Sequence, residues 1–214
     1  MRLTVNAFLT LDGVMQSPGS PEEDPSGGFT AGGWQVPYTA HEDFGEVVSS
    51  WFLVPHELLL GRTTYEMFRA YWPQVRSDDP VTRSINHGRR HVVAHAGYAP
   101  DWDGTAVIDS ADPLPAIAAL AARGEGELQV HGSARLAAAL HAAGMVDEYR
   151  LLIFPVTVGA GKRLFAEDAP PRGLQVRESR TLASGAVHLV AAPAPFRSGE
   201  YVLEDGQEIT RLDG

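Results

Sequence analysis

Short apolar runs alternate along the chain with longer stretches in which apolar residues recur every three to four positions. Leu3 to Leu11 is the first run and reads as a buried strand, closed by Asp12-Gly13, a pair that tolerates the positive φ of a tight turn. Phe44, Val47, Val48, Trp51 and Phe52 repeat at helical spacing, and Thr39-Ala40-His41-Glu42 before them has the form of a capping box. Leu58-Leu59-Leu60 ends at Gly61, and Thr63-Thr64-Tyr65-Glu66 then reads as a second box opening a helix to about Tyr71. Arg90 to Ala94 and Thr105 to Ile108 predict strands, and Asp112-Pro113 supplies a cap and first-turn proline for a helix ending near Gly124. Leu128 to His131 predicts a strand, Ser133 a cap, Ala134 to Ala143 a helix closed by Gly144, and Tyr149 to Val158 a long strand. Leu174 to Leu182 and Val187 to Ala192 flank Ala183-Ser184-Gly185-Ala186 and predict an antiparallel hairpin.

Strands alternating with helices imply a three-layer α/β fold, with a mostly parallel twisted sheet, helices on both faces and an antiparallel C-terminal edge. Residues 1–193 read as one domain, interrupted from Gln16 to Gly33 by a segment so rich in Pro, Gly, Ser and acids that it cannot order itself. Inside a compact domain such a segment is either a lid or a surface insertion. Residues 194–214 read as a polar tail, in which Asp205-Gly206 between Val202-Leu203 and Ile209 offers either an extra hairpin or a contact for a homodimer.

Composition removes several function classes. The 214 residues are 44% hydrophobic, enough for a core, and carry 17 Lys and Arg against 27 Asp and Glu, a net charge of -10. That field repels nucleic acid and anionic membrane, so neither is expected as a partner. The absence of cysteine removes disulfides, thiolate metal sites and cysteine nucleophiles. The eight histidines are scattered without an HExxH or compact acid cluster, so no metal site is expected, and no G-x-S-x-G elbow supports a serine hydrolase. With no signal-like apolar start and no run of bilayer length, the reading is cytoplasmic.

Candidate chemistry gathers at two strand-to-helix turns. Leu60-Gly61-Arg62-Thr63-Thr64 and Val130-His131-Gly132-Ser133-Ala134-Arg135 each join a strand to a helix start through small residues and add an Arg. A helix N-terminus carries partial positive charge and free N–H groups, and Arg forks onto phosphate. Singly, each turn reads as a plain helix cap with no ligand; together they fit a pyrophosphate held between two helix ends.

These residues carry a resemblance. Leu59-Leu60-Gly61-Arg62-Thr63-Thr64-Tyr65-Glu66 resembles the cofactor turn of dihydrofolate reductases and of the reductase domain of riboflavin-biosynthesis enzymes. Leu128 to Phe165, with Val130-His131-Gly132-Ser133, Gly144 to Glu148, Pro155 and Gly159-Ala160-Gly161-Lys162-Arg163-Leu164-Phe165, is similar to the riboflavin-type branch, the RibD C-terminal domain. Leu11-Asp12-Gly13-Val14 and Gly32-Gly33-Trp34 resemble small stand-alone members, so the resemblance covers about residues 2–192. It implies a dihydrofolate-reductase-like fold and an NADPH-dependent reductase of a small heterocyclic or carbonyl substrate, NADH not being excluded. Gly61, Arg62, Thr63 and Thr64 are then placed on the adenosine-side phosphates, and Gly132, Ser133, Ala134 and Arg135 on the pyrophosphate. Leu11, Asp12, Gly13 and Val130 complete the cofactor set, and the long loop becomes a lid over nicotinamide. Where family members often carry Ser-Arg or Thr-Arg near the ribose 2′-phosphate, this chain has Ala94-His95-Ala96, which leaves His95 as the contact.

Proton delivery needs a positioned acid or water, and Asp43, on the border of the buried stripe of its helix, is the candidate. It reads equally as a charge complementing that helix N-terminus. Lys162 and Arg163 are candidates for an anionic substrate or solvated loop charges, and Trp34 for stacking on a flat ring or for packing. A non-catalytic dinucleotide-binding protein that retains the fold is the rival reading. Dihydrofolate itself fits less well than the other branch, and the riboflavin step normally travels with a zinc deaminase domain for which this chain has no cysteines.

Overall fold

The computed structural model describes residues 1–212. Its core is an eight-stranded sheet ordered β4-β3-β2-β5-β1-β6-β8-β7. The strands are β1 (Arg2–Thr10), β2 (His56–Gly61), β3 (Arg90–Ala94), β4 (Thr105–Asp109), β5 (Glu127–Val130), β6 (Glu148–Phe154), β7 (Gly173–Thr181) and β8 (Val187–Ala194). From β4 through β6 all neighbours are parallel, and β8 and β7 close the sheet antiparallel. Five helices cover it: α1 (Glu42–Phe52), α2 (Arg62–Tyr71), α3 (Pro80–His87), α4 (Pro113–Ala121) and α5 (Ala134–Ala142). The expected three-layer α/β fold class, a mostly parallel sheet with an antiparallel C-terminal edge, is the one observed.

The layers follow from strict alternation in β2. Leu58 and Leu60 pack with Val47, Trp51 and Phe52 of α1, Tyr65 of α2 and Ile85 of α3. Leu59, on the other face, packs with Ile117 of α4 and with Leu136, Ala137 and Leu140 of α5. All three leucines are fully buried, and each such burial stabilises by about 1.5–3 kcal/mol. No helix among the described residues is long and apolar enough to cross a membrane.

Several local expectations are corrected. Neither predicted capping box forms: Thr39 turns its hydroxyl to the Val36 carbonyl (3.0 Å), and α1 starts after His41. Helix α2 starts two residues earlier than its box requires, after Gly61, and Glu66 pairs with Arg62 instead of bonding back to the cap (3.0 Å). Helix α3 is additional; Asp79 caps it through the Thr82 amide (2.9 Å), with Pro80 in its first turn. Strand β6 stops at Phe154, because Pro155 has no N–H to continue the ladder. At the C-terminus β9 (Gly199–Glu204) and β10 (Gln207–Leu212) form a separate hairpin. Its turn, Asp205-Gly206, has φ of 51° and 79°, the positive pair that a two-residue hairpin turn requires. The last two residues of the predicted tail lie outside the described residues.

Candidate functional site

The connections after β2 and β5 leave the sheet in opposite directions: β2 leads through α2 and α3 to β3, β5 leads through α5 to β6 on the other side. Between the carboxyl ends of two such neighbours a crevice is unavoidable. Here the two turns touch. The Gly61 N–H donates to the Gly132 carbonyl (3.1 Å). A Cβ on Gly61 would collide with Ser133 Oγ, and one on Gly132, whose φ is 135°, would stand 2.8 Å from Thr64 Oγ1. Glycine at both positions is therefore what lets the turns close on each other. Neither α2 nor α5 has a side-chain cap, so both N-termini present first-turn N–H groups toward the same cleft.

The cleft has a volume of about 350 Å³, within the range of small-molecule sites. Thr63 and Thr64 line one wall, Gly132 to Arg135 the other, and Phe8 of β1 and His131 lie between them. The long loop forms the remaining side through Met15 to Pro18, Glu23 and Asp24. It is pinned there by side chains. The Gln16 amide donates to the carbonyls of Asp24 (2.8 Å) and Ser26 (2.9 Å) and accepts from the Lys162 N–H (3.0 Å). Val14, Phe29 and Trp34 anchor its two ends in the core.

Several predicted residues do other work. Trp34 is buried, donates its indole N–H to the Gln16 carbonyl (2.8 Å) and packs edge-on against Phe154, so its ring is a loop anchor. Lys162 lines the cleft as expected but is engaged there by Asp24 Oδ2 (2.5 Å) and Ser26 Oγ (2.6 Å), whereas Arg163, outside the cleft wall, reaches the Gly159 carbonyl (2.5 Å) with Asp12 at 3.7 Å. Asp12 accepts from the Thr10 hydroxyl (2.6 Å) and the Gly159 amide (2.8 Å); that hydroxyl, with the loop amides, outweighs burial and lowers its pKa. Leu11 is largely exposed, Gly13 takes the positive φ (82°) of the turn, and Val130 is a fully buried core side chain outside the cleft wall. Arg62 lies along α2 on Glu66 and is not part of the cleft wall, whereas Arg135 is. His95 is exposed beside Tyr98 with Nδ1 on the Ala96 carbonyl (2.9 Å). Asp43 lies outside the cleft, in a surface depression with Arg180, and its Oδ2 accepts from the Ala183 amide (2.7 Å).

Three titratable cleft residues, Glu23, Asp24 and His131, were not singled out from sequence. Burial raises the Glu23 carboxyl pKa despite the Gly19 N–H on Oε2 (2.6 Å), while neighbouring Asp24, also desolvated, is lowered by its bonds to Lys162 and Ser26. Two adjacent carboxyls thus hold protons at different pH. His131 stacks on Phe52 (5.0 Å, 22°), and burial, with His56 and Arg150 adding positive charge, lowers it to about 3. The signal for His131 was legible: Glu127, Gln129 and His131 alternate with Leu128 and Val130, marking one polar face of a buried strand.

Comparison with known proteins agrees with the fold. Residues 2–188 match the family described as the RibD C-terminal domain. The Bacillus subtilis (strain 168) protein YyaP is 25% identical over 197 residues, 88% of this chain and 93% of its own. Among solved structures, a Shewanella sp. PV-4 protein named for riboflavin biosynthesis superposes with a TM-score of 0.63 at 17% identity, covering 91% of this chain and 99% of its own. Dihydrofolate reductase from Enterococcus faecalis, solved with NADP(H), gives 0.58 at 14% identity over 90% and 96%.

Proposed function

The chain belongs to the RibD C-terminal domain family, and on that premise we propose that it is an NAD(P)H-dependent reductase of a small heterocyclic or carbonyl compound. The observation that carries this is the pair of uncapped helix N-termini meeting at Gly61 and Gly132 over one cleft. Backbone N–H groups of the first turns of α2 and α5, the Thr63 hydroxyl and Arg135 would hold the phosphates of a dinucleotide. That cofactor supplies a hydride. The chain would supply the wall of Met15 to Pro18, which shields the cleft from water, and Glu23, a cleft-lining carboxyl that burial raises above its ordinary range, as the candidate group to pass a proton to a heteroatom.

Calorimetry with NADPH and NADH tests the reading. Binding of at least one is expected, and no binding at millimolar concentration of either sinks it. Arg135→Ala should weaken binding by about 1–3 kcal/mol, the size of a charge-assisted hydrogen bond. Arg62→Ala, which sequence alone marks as a phosphate ligand, should change it by only about 0.5 kcal/mol, because its exposed guanidinium is already engaged by Glu66.

One observation favours a second reading, dinucleotide binding without turnover: the Asp43 carboxylate is bound to the Ala183 amide and does not face the cleft. Steady NADPH oxidation with any member of a pterin, pyrimidine and aldehyde panel separates the two. A homodimer is proposed on Tyr201, Leu203 and Leu212, exposed together on one hairpin face, and light scattering of the purified chain checks it.

A further inference from the structure

We propose that His131 is a specificity-determining residue of the cleft: its Nδ1 is held as a hydrogen-bond acceptor, and the ligand seated there presents an N–H or O–H donor to it. The inference rests on reading the cleft as a dinucleotide and substrate site, and it specifies the chemistry of what docks.

The support is a chain of side-chain bonds along one face of β5. Arg150 grips Glu127 through both guanidinium nitrogens (2.8 and 2.5 Å). The Gln129 amide donates to Glu127 Oε2 (2.8 Å) and to the Trp51 carbonyl (2.6 Å). With both amide hydrogens engaged, Gln129 Oε1 is only an acceptor, so His131 Nε2, 3.1 Å away, carries the proton. Asn6 Nδ2, 3.3 Å from the same Nε2, would set donor against donor. Turning that amide end for end brings Asn6 Oδ1, otherwise buried without a partner, onto the Nε2–H. The tautomer is therefore set by Gln129, which Glu127 and the Trp51 carbonyl hold in one orientation, and Asn6 follows it in the turned orientation.

A proton on Nε2 leaves a lone pair on Nδ1. Both ring contacts within the protein are made by Nε2, and the residue lines the cleft with its ring stacked on Phe52. Burial keeps the imidazole neutral, so it offers no charge to a phosphate. The helix ends suit an anion; His131 suits a donor. Two donors have this chemistry, the carboxamide N–H of a nicotinamide ring and the ring N–H of a heterocyclic substrate.

The test is nitrogen NMR on the full chain labelled with ¹⁵N-histidine, the His131 signals being assigned by their loss in H131Q. In the free protein Nε2 should show the protonated shift and Nδ1 the unprotonated one. NADPH moving Nδ1 upfield identifies the carboxamide; uracil doing so in the presence of NADPH identifies the substrate; 1,3-dimethyluracil, which has no N–H, should leave it still. H131Q, retaining a donor and an acceptor, should bind the active probe within about threefold, and H131F about tenfold or more weakly. A proton found on Nδ1, or an Nδ1 unmoved by both NADPH and uracil, overturns the proposal. If NADPH then binds the wild type and H131F alike, the dinucleotide reading still stands. If uracil moves Nδ1 while NADPH does not bind, the dinucleotide reading falls and the role of His131 holds.

Discussion

Gly61 and Gly45 show how one chemical change takes opposite signs in two places. A methyl on Gly61 meets Ser133 Oγ and stands 3.1 Å from both Ser133 Cβ and Ser133 N, atoms of a second turn that cannot retreat without opening the crevice. Gly61→Ala should lower stability by about 1–3 kcal/mol, as overpacking does, and weaken NADPH binding with it. Gly45 lies inside α1 with open space where its Cβ would be. Gly45→Ala should raise stability by about 0.5–1 kcal/mol through helix propensity alone. Urea midpoints of the two variants measured side by side check the pair, and two changes of equal sign would contradict it. The importance of Gly61 is legible in the sequence because strand, glycine and helix start are consecutive. The roles of Trp34, Lys162 and Asp43 are not, because each is set by a distant partner: Lys162 meets Asp24 across 138 positions, and Asp43 meets Ala183 across 140. Local pattern cannot say which surface a side chain will find.

At the level of elements, period and punctuation located eight strands and four of the five helices, because burial imposes its alternation directly on the residues. Cap chemistry was less legible. Thr39 and Thr63 have the spacing of capping boxes, yet each is overruled by a turn that starts the helix elsewhere. The cap that does form is Asp79, whose carboxylate accepts from the Thr82 N–H (2.9 Å) and hydroxyl (2.7 Å). Burial works to raise its pKa, but these bonds and those of Ser77 and Val81 prevail and lower it from 3.8 to about 2. A depressed carboxylate stabilises the fold above its unfolded pKa and loses that contribution as pH falls through the folded one. Asp79→Ala should therefore cost about 1 kcal/mol near neutrality, as loss of an N-cap does. The gap between wild type and variant should narrow as pH drops from 3.8 toward about 2. Chemical denaturation across that range measures it, and a gap independent of pH would assign the loss to packing.

Over the whole molecule, the same burial that builds the three layers holds histidines neutral. His131 is lowered to about 3, and His141 and His188 are lowered as well, burial being the leading cause for all three. An unfolded chain takes up protons on these rings near 6.5 while the folded one resists, so the unfolded state binds more protons as pH falls. Stability should consequently be full above about pH 6.5 and decline toward pH 5, before most carboxylates begin to titrate. His188 isolates the effect. Neither of its ring nitrogens has a hydrogen-bond partner, Trp51 lies 6.1 Å away, and Glu178 Oε1 stands 3.6 Å from Nδ1, too far for a hydrogen bond. Glu178 favours the protonated ring while Arg150 and Arg180 oppose it, and burial decides the direction. His188→Phe removes a buried polar ring without stranding a partner, so its stability at pH 7 should match or exceed wild type. Its urea midpoint should also fall less between pH 7 and pH 5. An unchanged slope in this variant would remove His188 from the account and leave the acid sensitivity to His131 and His141.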